Sequence, residues 1–179
     1  MRAIANLVFT RFLGWHISGN FPELDKCVVI VVPHTSWVDF VIGLLVRKII
    51  GREIHFIAKD SLFRPPFGWY FRWMGGSPID RSKSNDTVAA IAGIFNQKDV
   101  FRLALSPEGT RKKVREWKTG FYYIAMAAKV PIILVAFDFG KKEVKISKPH
   151  YPSGDKETDF GRYKAFYKGV VGKVPEYSF

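Results

Sequence analysis

The sequence predicts a single α/β domain over residues 1–179, with a mixed, largely parallel β-sheet flanked by helices and an N-terminal amphipathic helix. Three observations carry this prediction. Short apolar runs alternate with amphipathic stretches along the chain. The run VVIVV (28–32) is continuously apolar, which is typical of a strand covered on both faces. The chain has 179 residues, 47% of them hydrophobic, enough for one domain with a substantial core.

The N-terminal segment, residues 1–20, predicts an amphipathic helix. Such a helix either lies on a bilayer or docks on the domain, and the sequence favours neither. Arg11 interrupts the apolar run and no small-residue cleavage site is clear, so a signal peptide is not expected. Four apolar residues recur at helical spacing: Ile4, Leu7, Val8 and Phe12.

The remaining elements alternate between strands and helices. The most apolar stretch, 121–137, contains Lys129 and Pro131, so it predicts a helix, a break and a strand rather than a membrane span. The predicted helices cover 37–50, 84–97, 119–128 and 158–171. The predicted strands cover 28–32, 53–58, 77–79, 100–105, 131–139 and 142–147.

The segment SLFRPPFGWYFRWMGG (61–76) breaks this alternation, because aromatic residues surround two prolines and two arginines. One interpretation is a short, heavily packed core helix after the Pro-Pro turn. The others are an apolar wall for a long apolar ligand, or a patch that enters the bilayer interface, where aromatic and cationic side chains are common.

His34 and Asp39 follow the first buried strand, in the stretch PHTSWVD. In parallel sheets ligands gather at the carboxyl ends of strands. If Ser36 caps the next helix, Asp39 falls at its third position and completes a capping box. The same spacing lets the carboxylate accept from the histidine Nδ1–H, which leaves Nε2 as a base for a hydroxyl. Both interpretations stay open on spacing alone.

Two further groups of polar residues follow strands. Asp80 and Arg81 end the block GGSPIDRS (75–82), and Glu108 to Arg111 follow a strand in LALSPEGTRKK (103–113). Two arginines at strand ends are suited to clamp one phosphate, because guanidinium pairs bidentately with oxyanions. The alternative is a pair of solvated arginines, and neither segment has the spacing of a Walker phosphate loop.

The composition indicates which classes of partner the protein is expected to bind. A net charge of +12 and 16% aromatic residues favour polyanions and a membrane interface. No nucleic acid is expected, because zinc-finger spacing, an RRM signature and a GXXG loop are absent. Cys27 is the only cysteine and the four histidines are scattered, so no metal site is expected.

Four blocks together resemble the glycerolipid acyltransferases, the family of 1-acylglycerol-3-phosphate acyltransferases. The family's His-x4-Asp motif corresponds to HTSWVD here, and its Ile-Asp-Arg block to GGSPIDRS. Its Pro-Glu-Gly-Thr-Arg block corresponds to SPEGTR, and its Val-Pro-Ile-led strand to VPIILVAF. The blocks occur in the family's order and span residues 33–137.

The resemblance implies a role for each matched residue. His34 would be the general base on the acceptor hydroxyl, oriented by Asp39, and the hydroxyl would attack the thioester of acyl-CoA or acyl carrier protein. A lysophospholipid would be the acceptor and phosphatidic acid the product, with no metal or bound cofactor. The implied substrate-binding residues are Lys59, Arg81, Glu108, Gly109, Thr110 and Arg111.

Three residues depart from the family pattern: Pro33, Ser106 and Leu134 stand where the family often has Asn, Phe and Pro. Ser106 and Leu134 leave the identity of the acceptor open. The alternatives are an acyltransferase for another acceptor, by transfer to an amino-acid lipid or by acyl exchange between phospholipids, and a nonenzymatic peripheral lipid-binding protein. We expect a peripheral protein on the cytoplasmic face of an anionic membrane, attached by residues 1–15 and basic charge. The basic segment RKKVREWK (111–118) would meet the bilayer, meet an acidic carrier protein, or stay solvated.

Overall fold

The apolar run VVIVV lies at the centre of the sheet. The computed structural model describes residues 1–79 and 84–178. Strand β2 (Lys26–Val32) pairs in parallel with Phe101–Leu105 on one side and with Ile132–Asp138 on the other. Because a strand in this position has neighbours at both edges and helices on both faces, a continuously apolar sequence is what it requires.

The sheet of the described residues runs in the order β1-β7-β6-β2-β5-β3-β4, and every pair is parallel except β6 with β7. This confirms the predicted mixed, largely parallel sheet. The other strands are β1 (His16–Ser18), β3 (His55–Lys59), β4 (Gly76–Ile79), β5 (Phe101–Leu105), β6 (Ile132–Asp138) and β7 (Glu143–Ile146). The described helices are α1 (Arg2–Leu7), α2 (Val38–Ile50), α3 (Gly68–Trp73), α4 (Ser84–Gln97), α5 (Gly120–Ala128) and α6 (Lys156–Tyr167). A π-helical turn, Val8–Phe12, and two 3-10 turns, Asp60–Phe63 and Pro175–Tyr177, complete the described elements.

Alternate residues of β2 supply two separate cores. Val28 and Ile30 pack with side chains of α4, α5 and α6 on one face. Cys27 and Val29 pack with side chains of α2 and with Phe9 on the other face. Each such fully buried aliphatic side chain contributes about 1.5–3 kcal/mol, so β2 anchors both layers and gives the residues that follow it a rigid base.

Several elements differ from the prediction in their bounds, and β2 begins two residues earlier than predicted, at Lys26. Strand β1 was not predicted, because its three residues are too few to show alternation. Strand β3 covers His55–Lys59, two residues later than predicted at its start. Helix α6 begins at Lys156 and ends at Tyr167 rather than covering 158–171, because Asp155 accepts from the Thr158 N–H as an N-cap and Lys168 leaves the helical conformation.

The N-terminal segment is partly docked on the domain. Ala5 and Phe9 are buried, and the Phe9 ring lies 6.0 Å from the Trp15 ring between centroids. The other side of this helix is apolar and exposed. Its exposed fractions are 65% for Ile4, 52% for Leu7 and 76% for Phe12. Three of the four residues of the predicted apolar stripe therefore remain open to solvent.

The aromatic segment is only partly a packed core helix. Phe63 and Met74 are buried, but most of the aromatic side chains of α3 and of the residues just before it are not. The exposed fractions are 66% for Phe67, 70% for Trp69, 40% for Tyr70 and 77% for Trp73.

Within the described residues, no helix has both the length and the apolar character required to cross a bilayer.

Candidate functional site

The turn from β2 into α2 brings His34 and Asp39 together. The distance between His34 Nδ1 and Asp39 Oδ2 is 3.1 Å. Asp39 lies in the first turn of α2 and is 2% exposed, whereas the His34 side chain is 27% exposed. With the proton on Nδ1, His34 donates to this carboxylate and the Nε2 atom keeps its lone pair.

The same carboxylate oxygen also organises the turn. Asp39 Oδ2 accepts from the Thr35 N–H at 2.8 Å and from the Ser36 N–H at 2.9 Å. Thr35 and Ser36 lie just before α2, whose N-cap is Trp37 with no side-chain cap hydrogen bond. The predicted capping box with Ser36 as N-cap does not form, because the Ser36 hydroxyl accepts from the Val38 N–H at 3.3 Å rather than from the Asp39 N–H. One buried oxygen of Asp39 instead contacts both the turn and the histidine.

Glu108 links the ends of two neighbouring strands. Its Oε2 atom accepts from the His34 N–H at 2.7 Å and from the Ser106 hydroxyl at 3.1 Å. Glu108 is 4% exposed. Burial raises the pKa of the Glu108 carboxyl, and the hydrogen bonds from His34 and Ser106 oppose that rise without cancelling it. A residue predicted to shape a substrate pocket thus also holds the backbone of the predicted base.

Gly109 makes the turn that follows Glu108. Its φ of +65° is a left-handed conformation that suits glycine, and its N–H donates to the Ser106 carbonyl at 3.2 Å. The Lys118 side chain lies directly against this glycine, since a Cβ placed there would be 3.1 Å from Lys118 Nζ. Lys118 also closes the loop by donating its N–H to the Pro107 carbonyl at 2.8 Å.

The other predicted substrate-binding residues are less defined. Thr110 and Arg111 are exposed at the start of the basic loop. Lys59 is the last residue of β3. Arg81 lies outside the described residues. The structure thus brings together His34, Asp39 and Glu108, with Gly109 next to them.

The sequence prediction missed Lys118. It lies ten residues beyond Glu108, and only the closure of the loop brings it back to Gly109. The one available signal was its place at the end of the basic segment 111–118. An ammonium group at this position adds positive charge to the turn predicted to hold a phosphate.

Comparisons with known proteins identify similar sequences. A family model described as an acyltransferase matches residues 14–138. The chain is 34% identical over 136 residues to a 1-acyl-sn-glycerol-3-phosphate acyltransferase of Streptococcus pneumoniae, covering 70% of this chain and 50% of that protein. It is 30% identical over 101 residues to the Escherichia coli protein of the same description, covering 52% and 41%. The chain spans about half the length of the curated relatives it matches.

A solved structure shares the fold. The 1-acyl-sn-glycerophosphate (LPA) acyltransferase PlsC of Thermotoga maritima aligns with a TM-score of 0.60 at 22% identity, covering 92% of this chain and 73% of that one.

Proposed function

Because the chain belongs to the acyltransferase family, we propose that it moves a fatty acyl group from a thioester donor to the hydroxyl of a lysophospholipid such as 1-acylglycerol-3-phosphate, giving phosphatidic acid. The observation that carries the proposal is the 3.1 Å contact between His34 Nδ1 and Asp39 Oδ2 at the end of a central parallel strand. Such a pair has the groups that general-base catalysis on a hydroxyl requires.

In the proposed mechanism His34 Nε2 takes the proton of the acceptor hydroxyl. The oxygen forms a bond to the thioester carbonyl carbon, and the tetrahedral intermediate then collapses as the carbon–sulfur bond breaks. The leaving thiolate receives the proton from the imidazolium. Asp39 stabilises the imidazolium through Nδ1–H, and Glu108 holds the His34 backbone throughout.

We assign the acceptor phosphate to the carboxyl edge of β3 and β5. Gly109, Thr110 and Arg111 follow β5, and Lys118 lies against Gly109. Lys59 ends the adjacent strand β3, and Arg81 follows β4 in sequence. A cluster of cations next to a phosphate gives strong, charge-assisted hydrogen bonds.

We further propose that the protein acts as a peripheral protein on the cytoplasmic face of an anionic membrane. The exposed apolar side chains of α1 and α3 support this, since large apolar groups beside cations are typical of interfacial proteins. Trp37, three residues beyond His34, is also large, apolar and 64% exposed. The donor is acyl-CoA or acyl carrier protein, and either would meet the basic segment 111–118.

The deciding experiment mixes purified protein with lysophosphatidic acid in detergent and either palmitoyl-CoA or the palmitoyl carrier protein, and measures products by mass spectrometry. Wild type is expected to form phosphatidic acid. His34→Ala is expected to lower kcat by a factor of about 10² or more, because the base is lost. Arg111→Ala is expected to raise KM for the acceptor and leave kcat less affected.

Full turnover by His34→Ala would contradict the mechanism. Product only from a different lysolipid in a wider panel would change the acceptor and keep the mechanism. Lipid binding by the folded protein without transfer to any acceptor would support the nonenzymatic alternative.

A further inference from the structure

The C-terminal segment Val170–Ser178 crosses the end of the sheet that carries the site. It follows α6, whose Tyr167 hydroxyl donates to the Ile30 carbonyl of β2 at 2.9 Å. After Gly169, with a φ of +78°, the chain turns, and the Val171 carbonyl accepts from the Phe139 N–H at 2.7 Å, directly beyond β6. The segment is thus attached to the carboxyl ends of both β2 and β6.

The segment then contacts the turn that holds His34 and Asp39. The Val174 N–H donates to Thr35 Oγ1 at 3.1 Å. A Cβ on Gly172 would lie 2.8 Å from both Thr35 Oγ1 and Thr35 Cγ2, and 3.1 Å from Pro33 Cγ. No side chain larger than hydrogen fits there unless Thr35 moves.

Thr35 connects the C-terminal segment to the dyad. Its side chain faces the C-terminal segment, and its N–H donates to Asp39 Oδ2, the oxygen that also contacts His34 Nδ1. Thr35 is itself buried, with 5% of its surface exposed. A displacement of Thr35 therefore changes the position of the carboxylate that orients the histidine.

We propose that Val170–Ser178 is a positioning segment for the His34–Asp39 dyad, and that Gly172 and Val174 act on it through Thr35. The catalytic part of this inference rests on the proposed function, whereas the positioning part concerns the dyad's geometry alone. The segment closes on itself through the Gly172 N–H and Ser178 Oγ at 2.8 Å, which stiffens it for this role.

The first test compares Gly172→Ala with Gly161→Ala. Gly161 is an exposed residue of α6 with no atom within 4 Å of an added Cβ, so it is a matched control. Gly172→Ala is expected to lower kcat about tenfold or more, because small misplacements of catalytic groups are costly. Its KM for lysophosphatidic acid and the control's kcat are expected to stay within about twofold of wild type.

The second test is a double-mutant cycle with Thr35→Ala, which removes both side-chain atoms that crowd Gly172. Gly172→Ala is expected to reduce kcat much less in the Thr35→Ala background than in wild type, because the clash is gone. Equal losses in the two backgrounds, or wild-type kcat for Gly172→Ala, would overturn the inference. If Gly172→Ala does not fold, Thr35→Val is the replacement variant, since it keeps the shape and removes the acceptor of the Val174 N–H.

The third measurement does not depend on turnover. The nitrogen and proton resonances of the His34 imidazole are recorded for wild type, Gly172→Ala and Gly161→Ala. A change in Gly172→Ala alone supports positioning even if wild type transfers acyl groups to none of the acceptors, in which case only the proposed function fails. An active wild type with unchanged resonances and unchanged kcat in Gly172→Ala would reject the positioning role.

Discussion

A single oxygen of Asp39 is shared between folding and the proposed chemistry. It accepts from two backbone N–H groups in the turn before α2 and from the His34 ring. A substitution of Asp39 would therefore disturb this turn and the dyad together. His34 has no such second role for its side chain, which makes His34→Ala the cleaner test of the mechanism.

At the same scale, Glu108 has a testable pH dependence. Burial raises the pKa of its carboxyl above the ordinary 4.5, so the folded protein holds this proton more tightly than the unfolded chain. The stability from the protonated carboxyl is fully present below pH 4.5 and is lost as pH rises through the higher folded pKa. The free energy of unfolding of wild type, relative to Glu108→Gln, is expected to fall over this range.

Urea unfolding of both proteins between about pH 4 and pH 8 measures this difference. Glu108→Gln is the matched variant, because its amide oxygen can still accept from the His34 N–H and from Ser106. If the difference in free energy of unfolding between the two proteins stays constant with pH, the pKa of the Glu108 carboxyl is not raised by folding.

At the scale of elements, the strands and helices were predictable wherever the pattern was long. The continuous run in β2 and the alternation of strands with helices sufficed for the parallel sheet. The contact between His34 and Asp39 was predictable too, because it lies within one turn of chain. The contact between His34 and Glu108 depends on β2 lying beside β5, and the contact of Val174 with Thr35 spans 139 residues. Neither contact leaves a pattern in the nearby sequence from which it could be predicted.

The exposed aromatic side chains of α3 lead to a prediction about membrane binding. Trp69→Ser with Trp73→Ser is expected to weaken binding to vesicles of phosphatidylglycerol and phosphatidylcholine by about tenfold or more, because two largely exposed indoles lose a favourable interfacial position. The measurement is vesicle sedimentation at constant salt, with quenching of tryptophan fluorescence by brominated lipid.

The matched control is Tyr123→Ser with Tyr151→Ser, which removes two aromatic side chains that are 46% and 65% exposed on α5 and beyond β7. If both pairs bind vesicles as wild type does, α3 does not enter the interface. A parallel pair, Leu7→Ser with Phe12→Ser, measures how much α1 and the π-helical turn after it contribute.

At the scale of the whole molecule, part of the positive charge lies at the same edge as the site. The net charge is +12, and the basic segment 111–118 follows β5, whose carboxyl end lies beside that of β2. The aromatic helix α3 belongs to the crossover that leads from the carboxyl end of β3 back to the amino end of the parallel strand β4. The dyad and the start of the basic segment thus lie at one edge of the sheet.

This arrangement predicts that binding to anionic vesicles weakens as salt rises, since the Debye length shortens from about 30 Å at 0.01 M to about 8 Å at 0.15 M. The triple variant Lys112→Ser, Lys113→Ser, Arg115→Ser is expected to reduce both the affinity for vesicles and its salt dependence. The expected loss of binding free energy is about 1 kcal/mol per lost cation. The measurement is vesicle sedimentation across a salt series.

The control removes three exposed lysines from the opposite edge of the sheet, Lys48, Lys98 and Lys148. It carries the same net charge as the first variant. If the two triple variants lose equal affinity, total charge rather than its position governs attachment.

The two edge strands of the sheet affect whether neighbouring copies on a membrane surface can pair with one another. Within the described residues the sheet ends at β1, three residues long, and at β4, four residues long with Pro78 inside it. Short edges, and a proline that has no N–H to donate, give a neighbouring chain little to pair with. Many copies concentrated in two dimensions on a bilayer would therefore remain separate molecules rather than join their sheets into aggregates.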